Sequence, residues 1–169
     1  MFFKGNLAVA WWFFTCFGII SCGKNQQQEQ RIQSYRLDEV RSVLSNQIKC
    51  WSRGDIDGFM DGYIRDSSVR FITAKKVKSS WQEILSSYRK GYPTKEAMGN
   101  LDFLLDEVRW LDSAAGLSQV IGRWQVLQTA DKANGINERE NAVDTLSGRF
   151  SLIFKYTNQG PKIAVDCTW

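Results

Sequence analysis

The chain of 169 residues contains no histidine. That excludes a Ser/His/Asp triad, a Cys/His pair, a His-ligated zinc and imidazole acid/base chemistry in one stroke. Proton transfer would therefore fall to carboxylates, Tyr, Lys or Cys. A carboxylate removed from water gains basicity, and Tyr hydroxyls beside it can donate to developing negative charge. The candidates are Asp61, Asp106, Glu107 and Asp166, with Tyr63 and Tyr88 as donors. Each has a plainer explanation. Asp61 falls near a helix end, Asp106 and Glu107 lie where strand alternation blurs, and Asp166 has outward parity relative to Ile163 and Val165.

A second kind of chemistry centres on Cys22. One early cation, Lys4, precedes an apolar run from Leu7 to Ile20, and small Ser21 then abuts Cys22. This is the layout of a bacterial lipoprotein signal, in which the cysteine becomes a lipid-bearing N-terminus. A plain signal peptide and an uncleaved anchor are the alternatives, although the run is short for a span of about 20 residues. Residues 1–21 are expected as the signal, and 22–34, rich in Gln and charge, as a flexible tether. The domain then lies outside the cytosol, in the cell envelope, with the membrane as partner through lipid on Cys22. In such a compartment Cys50 and Cys167 invite one disulfide; two buried, inert thiols are the alternative.

The elements that would position these groups follow from periodicity. Leu37, Val40, Leu44, Ile48 and Trp51 recur at spacings of three and four, which predicts a helix over 35–53. Gly54 stops it and Asp55 caps a second, short helix through Ile56, Phe59, Met60 and Tyr63. Residues 68–73 read as a strand. Ser79 or Ser80 opens a third helix through Trp81, Ile84, Leu85 and Tyr88, ended at Gly91-Tyr92-Pro93. From Leu101 onward the chain alternates as strands, with Val120, Gly122, Trp124 and Val126 on one face and Phe150, Leu152, Phe154 and Tyr156 likewise. Ile163, Val165 and Cys167 form the inward set of the last strand. Residues 130–147 lose the alternation and are expected as a long loop. Helices followed by an antiparallel meander predict a single α+β domain over 35–169, a curved sheet wrapped around about three helices. The net charge of +4 has its signs interspersed, so no basic face asks for nucleic acid. Nothing in the sequence calls for a cofactor or a metal.

Taken in order, Cys50-Trp51-Ser52-Arg53-Gly54-Asp55, Gly62-Tyr63, Arg70-Phe71, Trp81, Tyr88-Arg89-Lys90-Gly91-Tyr92-Pro93, Met98-Gly99 and Gly122-Arg123-Trp124 resemble the SnoaL-like, nuclear-transport-factor-2-like superfamily, in its exported, uncharacterised bacterial branch. The resemblance covers about residues 38 to 168. It implies a cone-shaped sheet with a pocket between sheet and helices, in a superfamily holding ketosteroid-isomerase-like and cyclase-like enzymes as well as members that bind or dimerise. Relatives of this branch carry two pocket histidines in the last strand; Val165 and Cys167 stand in their places. Three functions follow as expectations. The first is a non-catalytic cavity for a small hydrophobic ligand, lined by Tyr63, Phe71, Trp81, Tyr88, Trp124, Val165 and Cys167. The second is an enzyme using Asp61 or Asp166 with Tyr88. The third is a homodimer acting as an interaction module.

Overall fold

The computed structural model describes residues 18–129 and 143–169. The compact unit that carries the site is Tyr35–Trp169. The elements in chain order are α1 (Gly18–Ser52), α2 (Ile56–Met60), β1 (Arg70–Thr73), β2 (Val77–Lys78), α3 (Trp81–Gly91), α4 (Lys95–Met98), β3 (Asn100–Asp112), β4 (Leu117–Thr129), β5 (Val143–Thr157) and β6 (Gly160–Thr168). The strands form one curled, unclosed sheet in the order β2-β1-β6-β5-β4-β3. All pairs are antiparallel except β1 with β6. This is the expected α+β architecture.

Local chemistry sets the helix ends. Gly54 turns the chain at φ 78°, a conformation that suits glycine, and the Asp55 carboxylate accepts from Gly58 N at 2.8 Å to cap α2. Ser80 caps α3 by accepting from Glu83 N at 3.1 Å, and Glu83 reaches back to Ser79 N at 2.8 Å. The buried residues of these helices, among them Val40, Leu44, Trp51, Phe59, Met60 and Ile84, pack with the inward residues Val120, Val126, Phe150, Leu152, Phe154 and Ile163 of the sheet.

Several boundaries differ from the sequence expectation. Helix α1 begins at Gly18 rather than Tyr35, so the segment 22–34 expected as a flexible tether is helical; its residues 25–34 are solvent-exposed. Gln, Lys, Arg and Glu are poor core formers yet good helix formers, and the same composition supports both readings. Tyr63 lies beyond α2, not within it. The expected loop over 130–147 is shorter: Val143 to Ser147 extend β5 and pair with Thr129 to Gln125 of β4, since β-branched Val143 and Thr145 favour a strand. The rest of that segment, residues 1–17 and the Cys22 side chain lie outside the described residues. Among the described residues no helix is long and apolar enough to cross a membrane.

Candidate functional site

A cavity of about 250 Å³ lies between the helices and the concave sheet face. Its wall is largely aromatic. Trp51 meets Phe59 and Tyr92 with ring centroids 5.1 and 4.8 Å apart, Tyr88 meets Phe59 at 5.2 Å, and Phe103 meets Phe150 at 5.5 Å. Edge-on contacts of this kind hold ring faces in fixed directions. Trp51 is tied further by its indole N–H, which donates to Met98 O at 2.8 Å.

One polar group dominates the interior. The Asp166 carboxylate is 5% exposed, accepts the Tyr63 hydroxyl on Oδ2 at 2.6 Å and the Thr168 hydroxyl on Oδ1 at 2.8 Å. Tyr88 lines the same cavity beside Tyr63 and Asp166. Burial pushes the Asp166 carboxyl above its ordinary range, with the two donors pulling the other way. Burial, and then the neighbouring Asp166, push Tyr63 and Tyr88 upward, so both hydroxyls keep their protons. The meeting of these residues is built by the backbone. Ile64 N donates to Ile163 O at 2.9 Å and Ile163 N to Gly62 O at 2.8 Å, which pins the stretch carrying Tyr63 against β6.

The inward Asp166 corrects the sequence expectation, and a single residue explains it. Phe154 pairs with Ile163 while Ile153 pairs with Val165, so Ala164 is an extra residue in β6. Such a bulge gives Ala164 and Val165 one outward step between them and reverses the parity of everything after it. Asp166 and Thr168 thereby line the cavity, and Val165 and Cys167, expected there, do not. The same reversal removes the disulfide: Cys50 is a buried free thiol and Cys167 a half-buried one. The Cys50 thiol faces Gly58 and accepts from Arg53 Nη2 at 3.4 Å instead.

Of the other expected pocket residues, Tyr63, Phe71, Tyr88 and Trp124 line the cavity. Trp81 does not; it is buried behind the wall, donating to Met60 O at 3.0 Å with Arg65 over its ring at 4.5 Å. The remaining carboxylates are elsewhere. Asp61 pairs with Arg65 at 3.0 Å on the surface, Asp106 with Arg123 and Arg149 at 3.0 and 3.2 Å, and Glu107 with Arg109 at 3.3 Å. Residues the sequence reading left out of the wall include Gln47, Trp51, Phe59, Lys78, Tyr92 and Phe103. Trp51 and Phe59 were on recognisable helical stripes, but a stripe does not say which members border empty space. Gly148 has a role of its own: a Cβ there would come within 2.7 Å of both Trp124 Nε1 and Trp169 O, so a side chain would displace that indole. Among the described residues no group of three His, Cys, Asp or Glu side chains could hold a metal.

No protein-family model matches the chain, and no curated protein matches it. Solved structures do. A nuclear-transport-factor-2-like protein of unknown function from Shewanella oneidensis is 29% identical, with a TM-score of 0.65 over 78% of this chain and 96% of that one. A ketosteroid-isomerase-like protein from Erwinia carotovora is 15% identical, with a TM-score of 0.59 over 78% and 93%. A nuclear-transport-factor-2-like superfamily protein from Salmonella enterica is 12% identical, with a TM-score of 0.61 over 80% and 91%. With its curled six-stranded sheet, its helices on the concave side and the cavity between them, the chain is a member of the nuclear-transport-factor-2-like superfamily.

Proposed function

We propose that the chain is an envelope lipoprotein, anchored by lipid on Cys22, whose domain binds a small and largely apolar molecule in the aromatic cavity. The observation that carries the binding reading is the cavity itself, walled by aromatic rings and holding one buried polar cluster, Asp166 with Tyr63. Binding sites commonly combine an apolar wall with a few fixed polar groups that orient the guest. At about 250 Å³ the space falls below the roughly 300 to 1,000 Å³ of sites for drug-sized ligands, so the guest is small. The anchor rests on the sequence from Lys4 to Cys22.

Titration of phenylbutanol into the full chain in lipid nanodiscs, against empty nanodiscs, tests the cavity. Saturable binding is expected, and Ser87→Trp, which places bulk at the half-buried lining of α3, is expected to abolish it. Absent binding, or equal binding by the variant, contradicts the reading. The anchor is tested by metabolic labelling with a fatty-acid analogue: label on the wild type and none on Cys22→Ala is expected.

The Asp166–Tyr63 pair also favours a second reading, proton transfer beside a carbonyl. Both Asp166 oxygens already accept hydrogen bonds, which suits an orienting group better than a free base. Turnover of a β,γ-unsaturated cyclic ketone by the wild type and its loss in Asp166→Asn would establish the enzyme.

A further inference from the structure

Among the described residues, the cavity lining carries only two charged side chains, Asp166 and Lys78. They do not meet. Lys78 on β2 pairs with Phe71 on β1, and Phe71 pairs with Asp166 on β6, so one row runs across three strands with an aromatic ring in the middle. At a strand spacing of about 4.8 Å, the two Cα atoms are roughly 10 Å apart. The Lys78 ammonium lies 4.9 Å from the centre of the Phe71 ring, and no carboxylate of the described residues stands within 4.0 Å of it. Glu83, which acts on it from farther off, is occupied in capping α3. Partial burial depresses the Lys78 pKa, a cost that an arriving anion would offset.

We infer that the cavity takes a small amphiphile with one anionic head, the head held by the Lys78 ammonium at the β2 edge and the apolar body running over Phe71 into the aromatic wall. This rests on the cavity being a ligand site. It fixes the direction of entry as well. An anionic head is attracted to Lys78 and repelled by the Asp166 end, where the hydrogen-bonded carboxylate leaves room only for uncharged groups. Lysine offers a point charge rather than a planar fork, so carboxylate, sulfonate and phosphate heads share the chemistry.

Phenylbutyrate and phenylbutanol differ only in the head and serve as matched probes for calorimetry on the full chain in nanodiscs. Wild-type protein is expected to bind the acid tighter than the alcohol by roughly tenfold or more, the scale of one charge-assisted hydrogen bond. In Lys78→Met the preference for the acid disappears, and in Lys78→Arg it returns. Higher salt narrows the wild-type gap. Lys78 lies half-buried on a two-residue strand, so these variants are expected to melt like the wild type. Equal binding of acid and alcohol, preference for the alcohol, or a preference that survives Lys78→Met overturns the anionic head while leaving the cavity as a site. Failure of both probes removes the site itself, and this inference with it.

Discussion

Asp106 lies in a one-residue bulge of β3 and Asp166 just beyond one in β6, and the two carboxylates end in opposite environments. In β3 the extra residue is Asp106 itself, since Leu105 pairs with Gly122 and Glu107 with Ile121. It shares the outward step with Glu107 and meets Arg123 and Arg149 on the convex face. In β6 the extra residue is Ala164, and Asp166 comes after it, turned into the cavity against two hydroxyls. The same device gives a solvated ion pair in one case and a buried, hydroxyl-bound carboxylate in the other. Position relative to the bulge decides which; residue type does not.

The widest gap expected between the two faces is in packing. Phe154 is fully buried on the concave side and its neighbour Ile153 is half-buried on the convex side. Phe154→Ala is expected to cost about 3 to 5 kcal/mol and Ile153→Ala about 1 kcal/mol, as read from urea melts. Comparable losses would mean that the outer face is covered in solution.

The two aspartates come next. Asp166→Ala strands the buried Tyr63 hydroxyl without its acceptor, an effect of about 1 to 3 kcal/mol. Asp106→Ala removes partly exposed ion pairs worth about 0 to 1 kcal/mol. If Asp106→Ala were the costlier change in the same melts, the contrast drawn here would be reversed.

A pH dependence sharpens the comparison. Because burial raises the folded-state pKa of Asp166 above its ordinary 3.8, the folded protein holds this proton more tightly than the unfolded chain does. The stability due to that proton is full below 3.8 and is lost as pH rises through the raised folded value. Denaturation midpoints from about pH 4 to about pH 8 should therefore fall more steeply for the wild type than for Asp166→Asn. Parallel curves would show that the carboxyl titrates as if exposed.

The smallest effect is expected from deleting Ala164. Ala164 and Val165 share one outward step, so removing one straightens β6 without turning Asp166 outward. A loss of about 1 kcal/mol is expected, with the Asp166 pH signature retained. Disappearance of that signature would show that the bulge does not set the parity in the way described.

These contrasts also mark what the sequence could convey. The helical stripes, the Gly54 and Ser80 punctuation and the inward sets of β4 and β5 were legible, because periods of 3.6 and 2 sum over many residues. The Ala164 bulge was not. A single extra alanine leaves no periodic trace, and simple alternation from Ile163 put Val165 and Cys167 inside and Asp166 outside. Lys78 was missed for a related reason: a two-residue strand is too short to show alternation, and its place beside the cavity comes from pairing with Phe71. The aromatic supply of the pocket could be read from composition, whereas the members that border empty space depend on tertiary packing.

The central claim, that the concave face around Asp166 receives the ligand and the convex face around Asp106 does not, is tested most directly by amide and indole NMR shifts on titrating phenylbutyrate. Resonances of Asp166, Thr168 and the Trp124 indole should move together and saturate, with Asp106, Arg123 and Arg149 unmoved. Shifts confined to the Asp106 face, or none at any concentration, would contradict the account.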